Sequence, residues 1–256
     1  MALYWPGAIL GERLVSTRSI IEARSILGDA AGTYESKVLG YGPVAYYRFE
    51  ETAGANAADT SGNGYTGTYI NAPTLGQVGR VNFCPLLDGT NQCVDVLASA
   101  AGFSGVAGTI SAWARVSGAG VWADGSVDYL AVFMVDANNF VRIYKSNAAN
   151  TLIWQYMANA VSKSVVDATH AITGWQLLSV TWDKNAGATG EVLAYSGGSQ
   201  VGATQTNLGV WAGAPVICVF GAATAAGVTP WNGWIDEAML FDRALSATDL
   251  ADLASP

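Results

Sequence analysis

Nine short segments rich in aromatic and β-branched residues follow one another from residue 43 onward, each bounded by Gly, Asn, Asp or Ser. Segments 140–145 and 177–182 alternate apolar and polar side chains, which is the period of a strand with one buried face. Because thirty glycines punctuate the chain and many short strands favour two packed sheets, the sequence predicts an all-β, two-sheet sandwich. The segments are 44–49, 92–97, 109–116, 129–135, 140–145, 152–157, 175–182, 191–195 and 216–221.

The first 42 residues have a different pattern, and we predict that residues 1–42 form an N-terminal arm. Ser19 and Glu22 have the spacing of a capping box, which predicts a short helix that begins there. A second short helix is predicted over 33–39, and it ends at Gly40. So short a segment buries little surface by itself, so we expect the arm to dock on the sandwich or on another chain.

Residues 43–256 carry no internal repeat and no long linker, which predicts a single sandwich domain over this range. Near its end, Ser246 is a favoured N-cap residue, and Asp249 stands at the third helical position. This capping-box pattern predicts a short C-terminal helix over 246–253.

The charge composition limits the classes of ligand. Only 12% of the residues are charged and the net charge is −8, whereas ordinary globular chains are about 25% charged. No run of Lys and Arg forms a phosphate-binding footprint, so we expect no nucleic-acid partner. A surface this poor in charge indicates contact with partner subunits. No stretch approaches the roughly 18 continuous apolar residues of a membrane span, and the N-terminus lacks a signal-peptide pattern, so we expect no membrane insertion.

The three cysteines, Cys84, Cys93 and Cys218, do not describe a disulfide scaffold, because their number is odd. Cys84 and Cys93 flank the turn pair Asp88-Gly89 symmetrically, so they are candidates to face each other across two strands. We favour free buried thiols, since a free cysteine behaves as a small core hydrophobe.

Six sequence blocks between residues 34 and 250 occur in the order found in a known family. They include GPVAYYRFE at 42–50, ADTSGNG at 58–64, LDGTNQCV at 87–94, TISAW at 109–113, WQLLSVTWD at 175–183, and NGWIDE with FDRALS within 232–246. The chain resembles laminin-G-like modules of the concanavalin-A-like lectin/glucanase superfamily, of the kind found in phage virion proteins. Leu87 and Cys93 depart from the family's pattern, which has aromatic residues there. The resemblance implies a concanavalin-A-like jelly roll, a fold that hosts many functions.

The resemblance also implies a structural calcium ion. Similar modules hold calcium between the first acidic loop and the aspartate of the last block, so the carried-over ligands are Asp59, Asn63 and Asp236. Side-chain and carbonyl oxygens within one tight loop suit a hard cation. The alternative is that Asp59 and Asn63 only form Asx-turns that close the loop.

The acidic residues and the single histidine do not form a recognised catalytic pattern. Glycanase relatives carry Glu-x-Asp-x-x-Glu on a central strand, and no such triplet occurs here. The adjacent pairs Glu50-Glu51 and Asp236-Glu237 are each predicted to point to opposite faces of a strand. His170 stands in a predicted loop, where we expect a surface residue rather than a base. The sequence therefore predicts a protein that is not an enzyme.

Tryptophans outside the predicted core are the candidate sugar platforms. Trp122 and Trp211 lie in glycine-rich surroundings that favour loops, and Trp154 shares a strand face with Tyr156. These three tryptophans are the predicted glycan-binding residues. The alternative is that they are core residues, because the large area of tryptophan dominates core burial.

Three functions remain open at this point. The first is a non-catalytic structural or adhesion protein of a phage virion, a capsid decoration or tail component, with or without the ability to bind surface glycans. Its partners would be other virion proteins or copies of itself, bound through the arm. The second is a carbohydrate-binding module at the extracellular surface of a bacterium, and the third is a degenerate glycan-active enzyme. The low charge content and the apolar arm favour the first.

Overall fold

The structure is a computed structural model, and it describes residues 33–256. The predicted helix near Ser19 lies outside the described residues. Across 33–256 no helix has the length and apolar character needed to cross a membrane. This part of the chain folds into two short α-helices and sixteen β-strands: α1 (Tyr34–Gly40), β1 (Ala45–Tyr47), β2 (Asn56–Ala57), β3 (Gly67–Ile70), β4 (Thr74–Val78), β5 (Phe83–Asp88), β6 (Cys93–Asp95), β7 (Ala107–Val116), β8 (Asp128–Asp136), β9 (Asn139–Lys145), β10 (Leu152–Ala158), β11 (Val161–Asp167), β12 (Gln176–Asp183), β13 (Glu191–Ser196), β14 (Ser199–Thr206), β15 (Ile217–Phe220), β16 (Asn232–Phe241) and α2 (Ala247–Leu253).

The strands form two antiparallel sheets that pack face to face. In the first, which we call the covered sheet, the order is β14-β13-β12-β7-β16-β5-β4, and β1 pairs with the far end of β16. In the second, the open sheet, the order is β11-β10-β9-β8-β15-β6-β3-β2. Two stacked antiparallel sheets joined by crossovers confirm the predicted two-sheet jelly roll.

Large apolar side chains fill the space between the sheets. Trp154, Trp182 and Trp231 are fully buried there. Along β10 every second residue is buried, which is the alternation expected of a strand with one face in a core. Because burying one large apolar side chain stabilises a fold by about 1.5–3 kcal/mol, this layer is the main source of stability.

A second apolar layer lies on the outer face of the covered sheet, beneath both helices. Tyr34 and Val38 of α1 pack there with Trp113 of β7. The indole Nε1 of Trp113 donates to the Tyr34 hydroxyl oxygen at 2.9 Å, and that hydroxyl donates to the Leu253 carbonyl at 2.9 Å. This chain of hydrogen bonds ties α1, the covered sheet and the end of α2 together, so residues 33–42 of the predicted arm pack on the sandwich.

Side chains cap the first turns of both helices. The Thr33 hydroxyl oxygen accepts from Ser36 N at 3.2 Å, at the start of α1. Ser246 and Asp249 form the capping box of α2, in which each side chain accepts an otherwise unpaired backbone N–H group. The helices predicted over 33–39 and 246–253 are thereby confirmed.

All three cysteines are free and buried. Cys84 lies in β5 of the covered sheet, whereas Cys93 lies in β6 of the open sheet. The chain changes sheets at the turn between them, so the two residues do not face each other across a hairpin. The sequence symmetry about Asp88 was misleading because a turn pair marks a reversal of the chain and not which strands pair.

One glycine is required by close packing in the core. Gly108 of β7 lies under the Trp182 indole, and a Cβ atom at that position would be 2.2 Å from the ring atom Cζ2. We expect Gly108→Ala to lower the free energy of unfolding by about 1–3 kcal/mol, because the ring has to move. Gly118→Ala is the control, since a Cβ atom there meets nothing within 4 Å, and its effect should stay within about 0.5 kcal/mol. Urea denaturation measures both changes, and a Gly108→Ala midpoint equal to that of the wild type would contradict this packing.

Candidate functional site

Two of the three predicted glycan-binding tryptophans are buried. Trp154 is fully buried between the sheets, and Trp122 is 3% exposed. The Trp122 indole Nε1 donates to the Ile172 carbonyl at 3.0 Å, and its ring meets His170 at 4.7 Å between centroids. Their indole faces are in contact with the core, so neither presents a platform to a sugar.

The third tryptophan, Trp211, is half-buried and caps one end of the core. Its ring packs against Phe103 at 5.2 Å and Tyr156 at 5.9 Å between centroids, and its Nε1 donates to the Gly213 carbonyl at 2.9 Å. Within residues 33–256 no ring contact joins Trp211 to Trp122. The structure therefore does not bring the predicted tryptophans together on one surface.

The predicted calcium ligand Asp59 uses its carboxylate to close its own loop. Oδ1 accepts from Tyr46 N at 3.0 Å and from Ser61 N at 2.9 Å, and Oδ2 accepts from Tyr65 N at 2.9 Å. Burial works to raise the pKa of Asp59, but these hydrogen bonds outweigh it and hold the pKa below its ordinary value. The bond to Ser61 is an Asx-turn, which is the alternative that the sequence left open.

The other two predicted ligands have different partners. Asn63 Nδ2 donates to the Val44 carbonyl at 2.9 Å, and Asp236 Oδ2 accepts from Arg80 N at 2.7 Å and Val81 N at 2.9 Å. Calcium takes six to eight oxygen ligands, and no cluster of three or more His, Cys, Asp or Glu side chains able to hold a metal ion occurs in the described part of the chain. Each of the three residues thus makes hydrogen bonds within the protein, and structural calcium stays a prediction from the resemblance.

The acidic pair Asp236-Glu237 lies at a β-bulge in the middle of β16. Asp236 pairs with Trp113 and Met239 pairs with Ser111, so β16 has one residue more than β7 over this stretch. Glu237 lies within the bulge and adopts a left-handed backbone, with φ of 48°. Both carboxyl groups lie close enough to Tyr34 to raise its pKa. The prediction that this pair points to opposite faces is wrong, because the bulge breaks the strand alternation.

The Glu237 carboxyl group connects three parts of the fold. Its Oε2 accepts a hydrogen bond from the Tyr46 hydroxyl of β1. Its Oε1 lies 3.9 Å from Arg48 Nε, and Arg48 also pairs with Glu35 of α1 at 2.7 Å and with Glu50 at 3.1 Å. This network joins the central strand, the strand at its edge and α1.

Burial dominates the titration of the acidic pair. Both residues are 0% exposed, and this burial raises the pKa of Asp236 to about 7 and that of Glu237 to about 8. Repulsion between the two carboxylates adds to the effect on Glu237. At neutral pH the pair therefore retains a proton, and it has no direct access to solvent.

His170 is 3% exposed, so the predicted surface position is wrong. Its Nδ1 lies 3.0 Å from Asp167 Oδ2, and its ring packs against Trp122. Burial lowers the pKa of His170, although Asp167 opposes that shift. The residue fills the end of the core and holds the loop that follows β11.

The outer face of the open sheet carries a group of half-buried aromatic and polar side chains. The rings of Tyr129 and Tyr144 stack at 5.0 Å between centroids. The Arg142 guanidinium lies 5.0 Å from the Tyr144 ring and 4.3 Å from the Phe140 ring. Arg142 Nε donates to Gln155 Oε1 at 2.7 Å, and Nη1 donates to the Tyr129 hydroxyl at 3.1 Å. We call Tyr129, Arg142, Tyr144 and Gln155 the tyrosine–arginine platform.

The strand register explains how the platform forms. Tyr129 is paired with Tyr144 across β8 and β9, and Arg142 is paired with Gln155 across β9 and β10. Both described helices pack on the other sheet, so neither covers this face. Tyrosine combines an apolar ring with a polar hydroxyl, and the platform therefore offers ring faces beside fixed hydrogen-bonding groups. The alternation in 140–145 is the sequence signal that places Arg142 and Tyr144 on one face.

Sequence comparison identifies the family. Residues 88–251 match the profile of a laminin-G family described as the concanavalin A-like lectin/glucanases superfamily. This match covers more than half of the chain. No curated protein sequence matches the chain significantly.

Solved structures with the same fold include binding domains. Domain 4 of the extracellular GH43 arabinanase from Geobacillus stearothermophilus, in complex with arabinotriose, has a TM-score of 0.63 at 18% identity and covers 83% of this chain and 98% of its own. The botulinum neurotoxin type G receptor-binding domain has a TM-score of 0.59 at 16% identity. The binding domain of botulinum neurotoxin DC, in complex with rat synaptotagmin II, has a TM-score of 0.62 at 14% identity. The match covers 83–84% of this chain and about half of the neurotoxin chains (50% and 52%).

The raised pKa values of the acidic pair predict how stability depends on pH. The folded protein keeps protons that the unfolded chain releases, so the free energy of unfolding should fall as pH rises from about 4 to about 8 and level off above that. Between pH 5 and pH 8 we expect a loss of at least about 1 kcal/mol. Glu237→Gln mimics the protonated form and should flatten this slope.

Thermal melts of both proteins at half-unit pH steps measure the effect. The lowered pKa of His170 gives a slope of opposite sign in its own range, but it is common to both proteins and cancels in their difference. If the stability of the wild type and that of Glu237→Gln change with pH in parallel, Glu237 does not hold the proton that the folded protein retains.

Proposed function

This chain belongs to the concanavalin A-like lectin/glucanases superfamily, and we propose that it is a non-catalytic binding protein that captures glycans on its open sheet. The observation that carries the proposal is the tyrosine–arginine platform. It is the group of stacked aromatic rings and fixed polar side chains that the described structure leaves on an uncovered sheet face.

The platform suits a sugar because its groups are already ordered. Tyr129 and Tyr144 support each other's rings, and Arg142 is fixed by hydrogen bonds to Tyr129 and Gln155. Sugar rings have an apolar C–H face that packs on an aromatic ring, and hydroxyls that need hydrogen-bond partners. Ordering such side chains costs about 0.5–1.5 kcal/mol each on binding, so a pre-organised platform retains more of the contact energy.

Among residues 33–256, no acidic side chain occupies the outward positions of β9 and β10, and this supports a non-catalytic role. A retaining glycosidase needs two carboxyl groups about 5–5.5 Å apart beside the sugar. The outward positions of β9 and β10 are Phe140, Arg142, Tyr144, Ile153, Gln155 and Met157. The buried pair Asp236-Glu237 belongs to the covered sheet, where it has no exposed surface.

The structural relatives support binding as the general role. One of them was solved with arabinotriose and another with synaptotagmin II, so this fold presents both sugar ligands and protein ligands in those proteins. At 14–18% identity the likeness concerns the fold, and the choice of ligand for this chain depends on its own outward side chains.

We further propose, as a finer assignment, that the chain serves as a structural or adhesion component of a phage virion. Its low charge content and the resemblance to phage-encoded modules support this assignment. The partners would be virion proteins or further copies of the chain, bound through residues 1–42. The alternative is a bacterial carbohydrate-binding module at the cell surface or outside the cell, which would use the same platform without assembly.

Substitution of a platform tyrosine tests glycan binding directly. We expect the wild-type chain to bind a subset of an immobilised glycan array, and Tyr144→Ala to weaken that binding about tenfold, because it removes one ring of the stacked pair. Phe83→Ala is the control, since Phe83 is a 43% exposed aromatic residue on the covered sheet. Equal binding by wild type and Tyr144→Ala, or no binding to any glycan, would contradict the proposal.

Deletion of residues 1–30 tests the virion assignment. We expect the shortened chain to keep its glycan binding but to lose incorporation into particles when it replaces the full chain during phage assembly. Electron microscopy and immunoblotting of purified particles measure incorporation. Normal incorporation of the shortened chain would rule out attachment through the arm, and a full-length chain that never enters particles would favour the extracellular module.

A further inference from the structure

The platform contains a cation that has no acidic partner. Within residues 33–256 Arg142 forms no ion pair with a carboxylate, and neither do Arg80, Arg115, Lys163 and Lys184, whereas Lys37, Arg48, Lys145 and Arg243 do. Arg142 differs from the other unpaired cations in its surroundings, because three aromatic rings and two side-chain hydrogen bonds hold its guanidinium on the outer face of the open sheet.

The Arg142 guanidinium has donors to spare. Arginine carries five N–H groups, and the contacts to Gln155 and Tyr129 use Nε and Nη1. Nη2 makes no hydrogen bond with any residue of the described chain, and it is absent from the buried polar atoms that lack partners. The Nη2 group is therefore open to solvent and available to a ligand.

The acidic residues near this face are engaged elsewhere. Asp128, next to Tyr129 in β8, is 4% exposed and lies 3.4 Å from Lys145 Nζ. Asp167, at the end of β11, contacts His170. Asp95 shares a cross-strand row with Arg142 but is three strands away, about 14 Å at the usual strand spacing, which is beyond the screening length at physiological salt.

The contacts of the guanidinium favour an oxyanion as its ligand. The rings of Phe140 and Tyr144 hold it in place, and a fixed guanidinium matches the geometry of carboxylate and sulfate oxygens. Beside it, Ile153 and Met157 are half-buried apolar positions that suit the C–H face of a sugar. The surface combines a single positive charge with apolar support.

We infer that the platform selects glycans that carry a carboxylate or sulfate group, and that the Arg142 guanidinium binds this anionic group. This inference rests on the proposed glycan-binding function and narrows it to acidic sugars. The shared chemistry is a sugar ring with a planar or tetrahedral oxyanion, and either a uronic acid or a sulfated sugar supplies it.

The test compares matched ligands on the full chain by isothermal titration calorimetry. The probes are hexagalacturonate, its fully methyl-esterified form and a heparin-derived hexasaccharide. We expect at least one of the two acidic probes to bind about tenfold or more tightly than the neutral ester, because a charge-assisted hydrogen bond is about twice as strong as a neutral one. The preference should weaken as NaCl is raised. Binding of hexagalacturonate alone would identify a uronic acid, and binding of the heparin fragment alone would identify a sulfated sugar.

Two substitutions at one position separate charge from stacking. Arg142→Gln should bring the affinity for the acidic probe down to that for the neutral ester, and Arg142→Lys should keep part of the preference because it keeps the charge. Tyr144→Ala should weaken acidic and neutral probes alike. Circular dichroism melts confirm that each variant folds, and the Lys variant keeps the test valid if the Gln variant is unstable.

The outcomes distinguish this inference from the proposed function. If neutral glycans bind as tightly as acidic ones, or if Arg142→Gln keeps the preference, the charge-reading role of Arg142 is overturned while glycan binding stands. If neither the probes nor any arrayed glycan binds, the proposed function fails and the inference fails with it.

Discussion

The fold depends on how the central strand β16 shares its edges. One edge pairs with β7 along its length, whereas the other pairs with β5 at its start and with β1 at its end. The Asp236 carboxylate fills the gap between those two partners, because it accepts the backbone N–H groups of Arg80 and Val81. A Cβ atom at Gly79 would lie 2.5 Å from that carboxylate, so the loop approaches only because it has glycine there. This bulge also places Glu237 under the Tyr46 hydroxyl, which connects the edge strand β1 to the centre of the sheet.

The same arrangement makes the two outer faces different. On the covered sheet, Arg48 links Glu237 to Glu35 of α1, and the helices close over an apolar layer. The buried carboxyl groups there serve the structure, since they have no exposed surface. Neither described helix covers the open sheet, whose outer face carries the half-buried platform and, near β6 and β15, a small apolar cluster of Cys93, Val219 and Ala222. Under the proposed function, a ligand would contact the side chains of β8, β9 and β10, and the chemistry of those side chains would determine which ligand binds.

The nine predicted segments correspond to nine of the sixteen described strands, because aromatic and β-branched residues with period two favour strands. The segments leave out β2, β3, β4, β5, β11, β14 and β16. Of these, β4 and β14 are edge strands with mostly exposed or half-buried residues and no apolar periodicity. Strict alternation predicts opposite faces for the acidic pair. This prediction is wrong because β16 contains a bulge, and only the pairing of β16 with β7 reveals it. Trp122 was assigned to an exposed loop from its glycines, yet a 3₁₀ turn at Ala119–Ala123 carries the ring inward. Composition near a residue does not give the direction of its side chain.

The sequence does not predict the tyrosine–arginine platform, because its residues lie on three strands that are separate in the sequence. Alternation within 140–145 predicts that Arg142 and Tyr144 lie on one face. The residues that bond to Arg142 and stack on Tyr144 are distant in the sequence. Tyr129 and Gln155 join them only through the registers of β8 and β10. The core positions of this fold are constrained by packing, so relatives at 14–18% identity keep the same sandwich. The outward positions carry no such constraint, so they can differ between proteins of this fold without changing the fold.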